Sequence, residues 1–208
     1  MNKKGLKILN CYAGIGGNRK KWGNSHQITA IENNPEIAKI YQDFFPKDKI
    51  IIADAHQYLL DHFKEFDFIW SSPPCPSHSR ARFWSSKGGM YDIIYPDMSL
   101  YQEIILLEKF FKGKWVVENV KPYYKSLVEA QELGRHLFWT NFYLENLKCN
   151  SNYIFSGEDF NKVKDMIGFD ISKYKIDKRK ILRNCVEPEL GKHILDCAMG
   201  KIKQRQLL

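Results

Sequence analysis

Short apolar runs rich in branched and aromatic side chains alternate along the chain with stretches in which apolar residues recur at helical spacing. Leu6–Asn10, Ile28–Glu32, Lys49–Ala53, Phe66–Ser71 and Lys114–Glu118 have the length and content of buried strands. Between them the spacing predicts helices over Gly17–Trp22, Pro35–Phe45, His56–Phe63 and Ser99–Phe111. Strand–helix alternation of this kind requires parallel strands joined by right-handed crossovers, with helices on both faces of the sheet. Beyond Glu118 the pattern weakens. Leu137–Leu144 reads as a strand pair or edge hairpin, Glu158–Ile167 as a short helix, and Glu189–Met199 as a C-terminal helix with Pro188 near its start.

In open parallel sheets ligands bind beyond the carboxyl ends of the strands, so the residues that follow each run carry the functional information. The first strand leads into Asn10-Cys11-Tyr12-Ala13-Gly14-Ile15-Gly16-Gly17. Such a glycine turn lets a backbone approach a ligand closely, although many α/β domains use one purely for packing. The second strand ends at Glu32, placed to accept hydrogen bonds from ribose hydroxyls, and the third at Asp54, placed for an adenine amino group. Together they describe a slot for an adenosine-containing cofactor. The turn is shorter than G-x-G-x-x-G, which disfavours a nicotinamide dinucleotide.

The fourth strand runs into Ser71-Ser72-Pro73-Pro74-Cys75-Pro76-Ser77-His78-Ser79-Arg80. Prolines on both sides of Cys75 deny it helix or central-strand structure and fix a rigid loop on which a nucleophile can be presented. The fifth strand ends in Glu118-Asn119-Val120, which brings a carboxyl group beside that loop if strands four and five are neighbours. A cysteine and a carboxyl group in one cleft suit attack on a pyrimidine. The thiolate adds to C6, a proton shared by the carboxyl group neutralises charge at N3, and C5 becomes able to take a methyl group from a sulfonium.

Charge changes the picture at three places. Over 208 residues the net charge is +8. Residues 1–31 carry Lys3, Lys4, Lys7, Arg19, Lys20 and Lys21 without an acid, residues 76–91 carry Arg80, Arg82 and Lys87, and residues 173–183 are nearly all basic among their charged positions. Clusters of this kind attract a polyanion, and the second one follows Cys75 directly, where its cations also favour a thiolate. The five cysteines are dispersed without a C-x-x-C pair, and Cys75 and His78 have no second pair to complete a tetrahedral site, so neither a disulfide framework nor a metal site is expected. No apolar run is long enough to span a membrane, and no apolar leader follows Met1; a cytoplasmic protein is expected. Trp22, Trp70, Trp115 and Trp139 lie in or beside apolar runs and are read as core, and Cys11 as a small packing residue. His56, His62 and His193 are read as surface or cap residues, while His78 and His136 lie near the site with no step assigned.

Tyr12-Ala13-Gly14-Ile15-Gly16-Gly17, Glu32, Asp54, Pro73-Pro74-Cys75, Glu118-Asn119-Val120 and Asn184-Cys185-Val186 occur in the order seen in cytosine-C5 DNA methyltransferases, and the chain resembles that family over nearly its whole length. The resemblance implies a Rossmann-like S-adenosylmethionine-dependent methyltransferase fold, a mostly parallel sheet with helices on both faces, built as one catalytic domain over residues 1–208. It implies S-adenosyl-L-methionine as cofactor, contacted by Tyr12, Ala13, Gly14, Gly16, Gly17, Glu32, Asn33, Asp54, Ala55, Pro74, Asn184 and Val186. Cys75 would be the nucleophile and Glu118 the N3 partner. Ser79, Arg80 and Arg82 would belong to a mobile loop that closes on duplex DNA around a flipped-out cytosine. Phe83 and Trp84 are read as packing residues of that loop. Val163–Phe169 is similar to the family's helix-plus-Gly-Phe element.

The departures from the family pattern are specific. Its paired-arginine element is reduced to Gly134-Arg135-His136, where Arg135 is the favoured partner for cytosine O2, and Arg183 stands where glycine is usual. The target-recognition region shrinks to about residues 143–159, too short for a separate domain. Recognition is then left to a very short site, to a protein partner, or to methylation with little preference. An amino-methyltransferase is disfavoured because Cys75 replaces the aromatic residue expected after the two prolines. An RNA cytosine-C5 methyltransferase and a non-catalytic subunit of the same fold are the alternatives.

Overall fold

A computed structural model of the chain describes residues 5–147 and 165–202. Among the described residues seven strands form one sheet: β1 (Lys7–Cys11), β2 (Gln27–Glu32), β3 (Lys49–Ile52), β4 (Phe68–Ser71), β5 (Lys114–Val120), β6 (Gln131–Leu133) and β7 (His136–Thr140). Their order is β3-β2-β1-β4-β5-β7-β6, with β1 to β5 parallel and the β6–β7 hairpin antiparallel at the edge. The helices whose full span lies among the described residues are α1 (Pro35–Phe44), α2 (Ala55–His62), α3 (Arg80–Lys87), α4 (Ser99–Phe110), α5 (Lys178–Arg183) and α6 (Pro188–Ala198). Successive strand residues point to opposite faces. Ile8, Phe68, Trp70, Val116 and Phe138 pack with Leu190 and Ile194 of α6, while Leu9, Ile69, Val117 and Trp139 pack with Leu59 of α2 and Leu100, Ile104 and Leu107 of α4. The sheet is thus covered on both faces, as its uninterrupted apolar strands require. The strand order reverses direction of growth between β1 and β4, and the ends of those two strands open the cleft.

All four tryptophans expected in the core are buried, and so is Cys11. Four local expectations are revised. Gly17–Trp22 forms only a short 3-10 turn, Asn18–Lys21, because the Asn18 side chain takes the Arg19 amide and pairs with Asn10. Arg80–Trp84 is helical rather than looped, because Ser79 caps α3 by accepting from the Arg82 amide. Leu137–Leu144 is not a strand pair: β7 is one strand whose partner in the hairpin precedes it, joined by the two-residue turn Gly134-Arg135 with Gly134 at φ 59°. The N-terminal basic cluster is largely consumed by the fold. Arg19 is buried against Asp48 at 2.7 Å, Lys20 donates to the carbonyls of Ile167 and Gly168, and Lys21 pairs with Glu189. Residues 158–164 of the expected helix at Glu158–Ile167, the start of the Val163–Phe169 element and most of the 143–159 segment lie outside the described residues, while residues 165–167 are helical as expected. Among the described residues no helix is long and apolar enough to cross a membrane.

Candidate active site

The carboxyl ends of β1, β2 and β3 converge as the strand register demands. Tyr12, the first residue after β1, has φ 56°, a left-handed conformation that costs a non-glycine residue of order 1–3 kcal/mol. Its hydroxyl donates to Glu103 of α4 at 2.7 Å, an anchor that holds the residue there. Glu103 is fully buried and also accepts from Ser71 Oγ at 2.5 Å and lies 2.9 Å from His56 Nδ1. One carboxylate therefore links the glycine turn, the start of α2, the end of β4 and α4. Burial, and then Glu103, raise the Tyr12 phenol well above its ordinary range, so it stays a donor. The hydrogen bond with Glu103 raises the His56 imidazole.

Glu32 is held by two backbone amides, Gly14 N to Oε2 at 3.0 Å and Asn34 N to Oε1 at 2.9 Å. Each oxygen keeps a further lone pair for a hydroxyl donor. Asp54 caps α2 through Oδ1, which accepts from Gln57 N at 2.8 Å, and is exposed; Ala55 next to it is buried. A Cβ placed on Gly14 would meet nothing within 4 Å, so the turn is open at that point, whereas one on Gly17 would lie 2.4 Å from the Val186 carbonyl. That close approach seats Asn184-Cys185-Val186 against the glycine turn, with Asn184 exposed at the end of α5 and Asn33 exposed beside Glu32. An open glycine turn, a pre-oriented carboxylate and a helix start carrying a second carboxylate fit an adenosine-containing cofactor.

Across the β1/β4 divide lies the second half of the site. Cys75 follows β4 by four residues; its carbonyl accepts from the amides of His78 and Ser79 at 3.0 and 2.9 Å, which closes a turn around the thiol. Asn119 of β5 donates from Nδ2 to the Pro73 carbonyl at 2.9 Å and so fixes this loop to the strand that bears Glu118. Tyr124 reinforces it through a 2.5 Å hydrogen bond to the buried His78 Nδ1. Pro74 remains exposed. Burial, and then the charge of Glu118, raise the Cys75 thiol, against the opposing fields of Arg135 and Arg183. With the thiol raised in this way, the thiol form prevails without substrate.

Glu118 is buried on β5, and His136 Nε2 of β7 lies 3.6 Å from its Oε1. Arg135, one residue earlier, sits exposed in the hairpin turn and donates from Nη2 to the Arg183 carbonyl at 3.3 Å. The structure thus brings Cys75, Glu118, Arg135 and His136 to one cleft. On α3, Ser79 is used as a cap, Arg80 Nε donates to the Pro122 carbonyl at 2.9 Å, and Arg82 folds over the Tyr91 ring at 4.1 Å. Phe83 stacks on Tyr123 at 3.9 Å, whereas Trp84 is 65% exposed. Glu103, Asn119 and His136 were not assigned from the sequence. Glu103 had one legible sign, a charge on the apolar stripe Leu100–Ile104–Leu107, and His136 shares the inward parity of Phe138 on β7.

The C-5 cytosine-specific DNA methylase family model matches residues 6–129. No curated protein matches the sequence. Among solved structures the chain is similar to the Entamoeba histolytica methyltransferase EhMeth, with TM-score 0.57 and 12% identity over 97% of this chain and 100% of that one. It is also similar to a Spodoptera frugiperda DNMT2 mutant, with TM-score 0.41 and 24% identity over 58% of this chain and 37% of that one. The first likeness bears on the fold alone, which it shares with a methyltransferase. The family match covers more than half of the chain, including the glycine turn, Cys75 and Glu118, and the chain belongs to the C-5 cytosine-specific DNA methylases.

Proposed function

We propose that the protein methylates C5 of cytosine in DNA, with S-adenosyl-L-methionine as donor and Cys75 as nucleophile. The observation that carries this reading is the tie between Asn119 and Pro73, which sets the Cys75 loop against the strand of Glu118. S-adenosylmethionine, when bound, supplies an electrophilic methyl group. Tyr12, Ala13, Gly14, Gly16 and Gly17 would cradle it, with Glu32, Asn33, Asp54, Ala55, Pro74, Asn184 and Val186 around it.

Cys75 gives an electron pair to C6 after losing its proton to solvent, aided by Arg135 and Arg183. Glu118 delivers a proton to N3 and holds the exocyclic amine, which makes C5 nucleophilic. Once C5 is methylated its proton leaves, Cys75 is expelled and N3 returns its proton. Arg135 is the residue we assign to cytosine O2. A duplex would lie across α3, where Ser79, Arg80 and Arg82 follow the nucleophile, with the target base flipped out because C5 and C6 are unreachable inside a stacked duplex. Sequence recognition would come from the reduced 143–159 segment or from a protein partner.

The test is transfer of labelled methyl from S-adenosylmethionine to unmethylated duplex DNA, with products digested to nucleosides. Wild type should yield 5-methylcytosine and Cys75→Ala at least about a thousandfold less. Label on RNA but not DNA would replace the substrate class, and label in Cys75→Ala would remove the nucleophile.

A further inference from the structure

We propose that His136 is the positioning residue of Glu118: it orients the carboxyl group and shares with it the proton that Glu118 presents to cytosine N3. The inference rests on the proposed role of Glu118. In the β5–β7 register Val120 lies opposite His136 and Glu118 opposite Phe138, so Glu118 and His136 are diagonal neighbours on one face of the sheet. Their side chains are about one-tenth exposed, and Nε2 stands 3.6 Å from Oε1. That separation is too long for a hydrogen bond and short enough to become one when a base fills the cleft. Arg135 cannot occupy the same place, since it sits in the exposed turn one residue earlier and donates to the Arg183 carbonyl.

The groups facing the imidazole are Glu118 from β5, Lys121 just beyond β5, and Arg135 on its own hairpin. Burial and the two cations disfavour a charged ring, while Glu118 alone favours it. His136 can therefore hold a proton only in company with Glu118, and the pair behaves as one titrating unit. In the reaction, the Cys75 sulfur bonds to C6, the C5=C6 electron pair shifts to C4=C5, and the C4=N3 pair becomes a lone pair on nitrogen. N3 takes the one proton the pair holds, delivered from Glu118, and leaves a carboxylate facing a neutral His136 ring. Expulsion of Cys75 returns the proton by the same route, so the pair ends with the proton it began with. A cavity-facing neutral histidine used only for packing would have no such coupling.

Two measurements test this on the full chain. The first is an NMR titration of the His136 ring in wild type and Glu118→Gln without substrate. Loss of the carboxylate should lower the His136 midpoint by about one pH unit or more, and an unmoved midpoint overturns the pairing. The second compares kcat against pH for wild type, His136→Gln and His136→Asn. Both variants should lose roughly a hundredfold in kcat, keep KM for S-adenosylmethionine within about threefold, and shift the limb on which wild-type activity falls as pH rises. A uniform loss with that limb in place marks a packing residue and overturns the proposal. A wild type that methylates neither DNA nor RNA removes the proposed function and the base along with it. An active wild type whose His136 ignores Glu118 removes this inference alone.

Discussion

On the β1–β3 side of the cleft Glu32 and Asp54 are held by backbone amides of their own turns or of the adjacent strand, whereas on the β4–β7 side the groups meet through contacts between distant segments. Glu32 takes its hydrogen bonds from Gly14 and Asn34, and Asp54 takes one from Gln57. The Cys75 loop, by contrast, depends on Asn119 and Tyr124, each 46 residues from its partner, and Glu118 faces His136 across a strand pairing. The first half is fixed once its strand ends form. The second requires β4, β5 and the edge hairpin to be placed relative to one another, so small errors there move reacting atoms while binding is spared. Glu103 joins the halves, since its partners are Tyr12 and His56 on one side and Ser71 on the other.

Breaking that joint should have the largest effect. Glu103→Ala strands three polar side chains around a buried space, and should cost about 2–4 kcal/mol in urea unfolding. Because Tyr12 loses its anchor, S-adenosylmethionine affinity should fall as well as turnover. A stability change under half a kcal/mol, with both functions intact, would show that the halves are assembled independently.

The next effect should be confined to one half. Glu32→Ala removes the acceptors of the Gly14 and Asn34 amides and any bond to the cofactor, and should weaken S-adenosylmethionine binding about 10–100-fold by calorimetry. The pH dependence of the methyl-transfer step at saturating cofactor should stay as in wild type. Asn119→Ala should do the reverse at smaller cost: roughly a tenfold drop in kcat from the loosened Pro73 tie, with cofactor affinity unchanged. Weakened cofactor binding in Asn119→Ala would erase the distinction between the halves.

How far each half was legible follows the same division. All five parallel strands fall within about two residues of their expected places, because runs such as Phe68–Ser71 and Lys114–Val120 are apolar on both faces and cannot be read otherwise. Once the strand ends are known, Gly14, Glu32, Asp54, Cys75 and Glu118 follow as candidate site residues from the rule that ligands sit beyond them. What the residues alone did not disclose depends on distant partners. Arg19 looked like a surface cation until Asp48 is seen beside it, buried, with Tyr41 donating to the same carboxylate at 2.8 Å. His136 looked like a spare polar residue beside Arg135 because the hairpin was expected over residues 137–144 rather than 131–140, which hid the pairing that sets it against Glu118. The helix at Arg80–Lys87 stands where the sequence suggests a loop, because Ser79 caps it by accepting from the Arg82 amide.

The smallest effect concerns pH and the two histidines that flank the halves. The bond to Glu103 raises the folded-state pKa of His56 above its unfolded value, so its contribution is fully present below ~6.5 and is lost as pH rises through the folded pKa. His136 has the opposite sign. Burial lowers its folded-state pKa, so its stabilising neutral form is present above ~6.5 and that contribution is lost as pH falls through the lowered value. In wild type the two trends partly cancel, and the stability profile alone separates neither. Comparing urea midpoints of wild type and His56→Gln between pH 5.5 and 8.5 isolates the first: the difference should be largest at the acid end and shrink towards the alkaline end. A difference that grows with pH would mean that His56 is neutral in the folded protein, and that Glu103 is held by Tyr12 and Ser71 without a charge from α2.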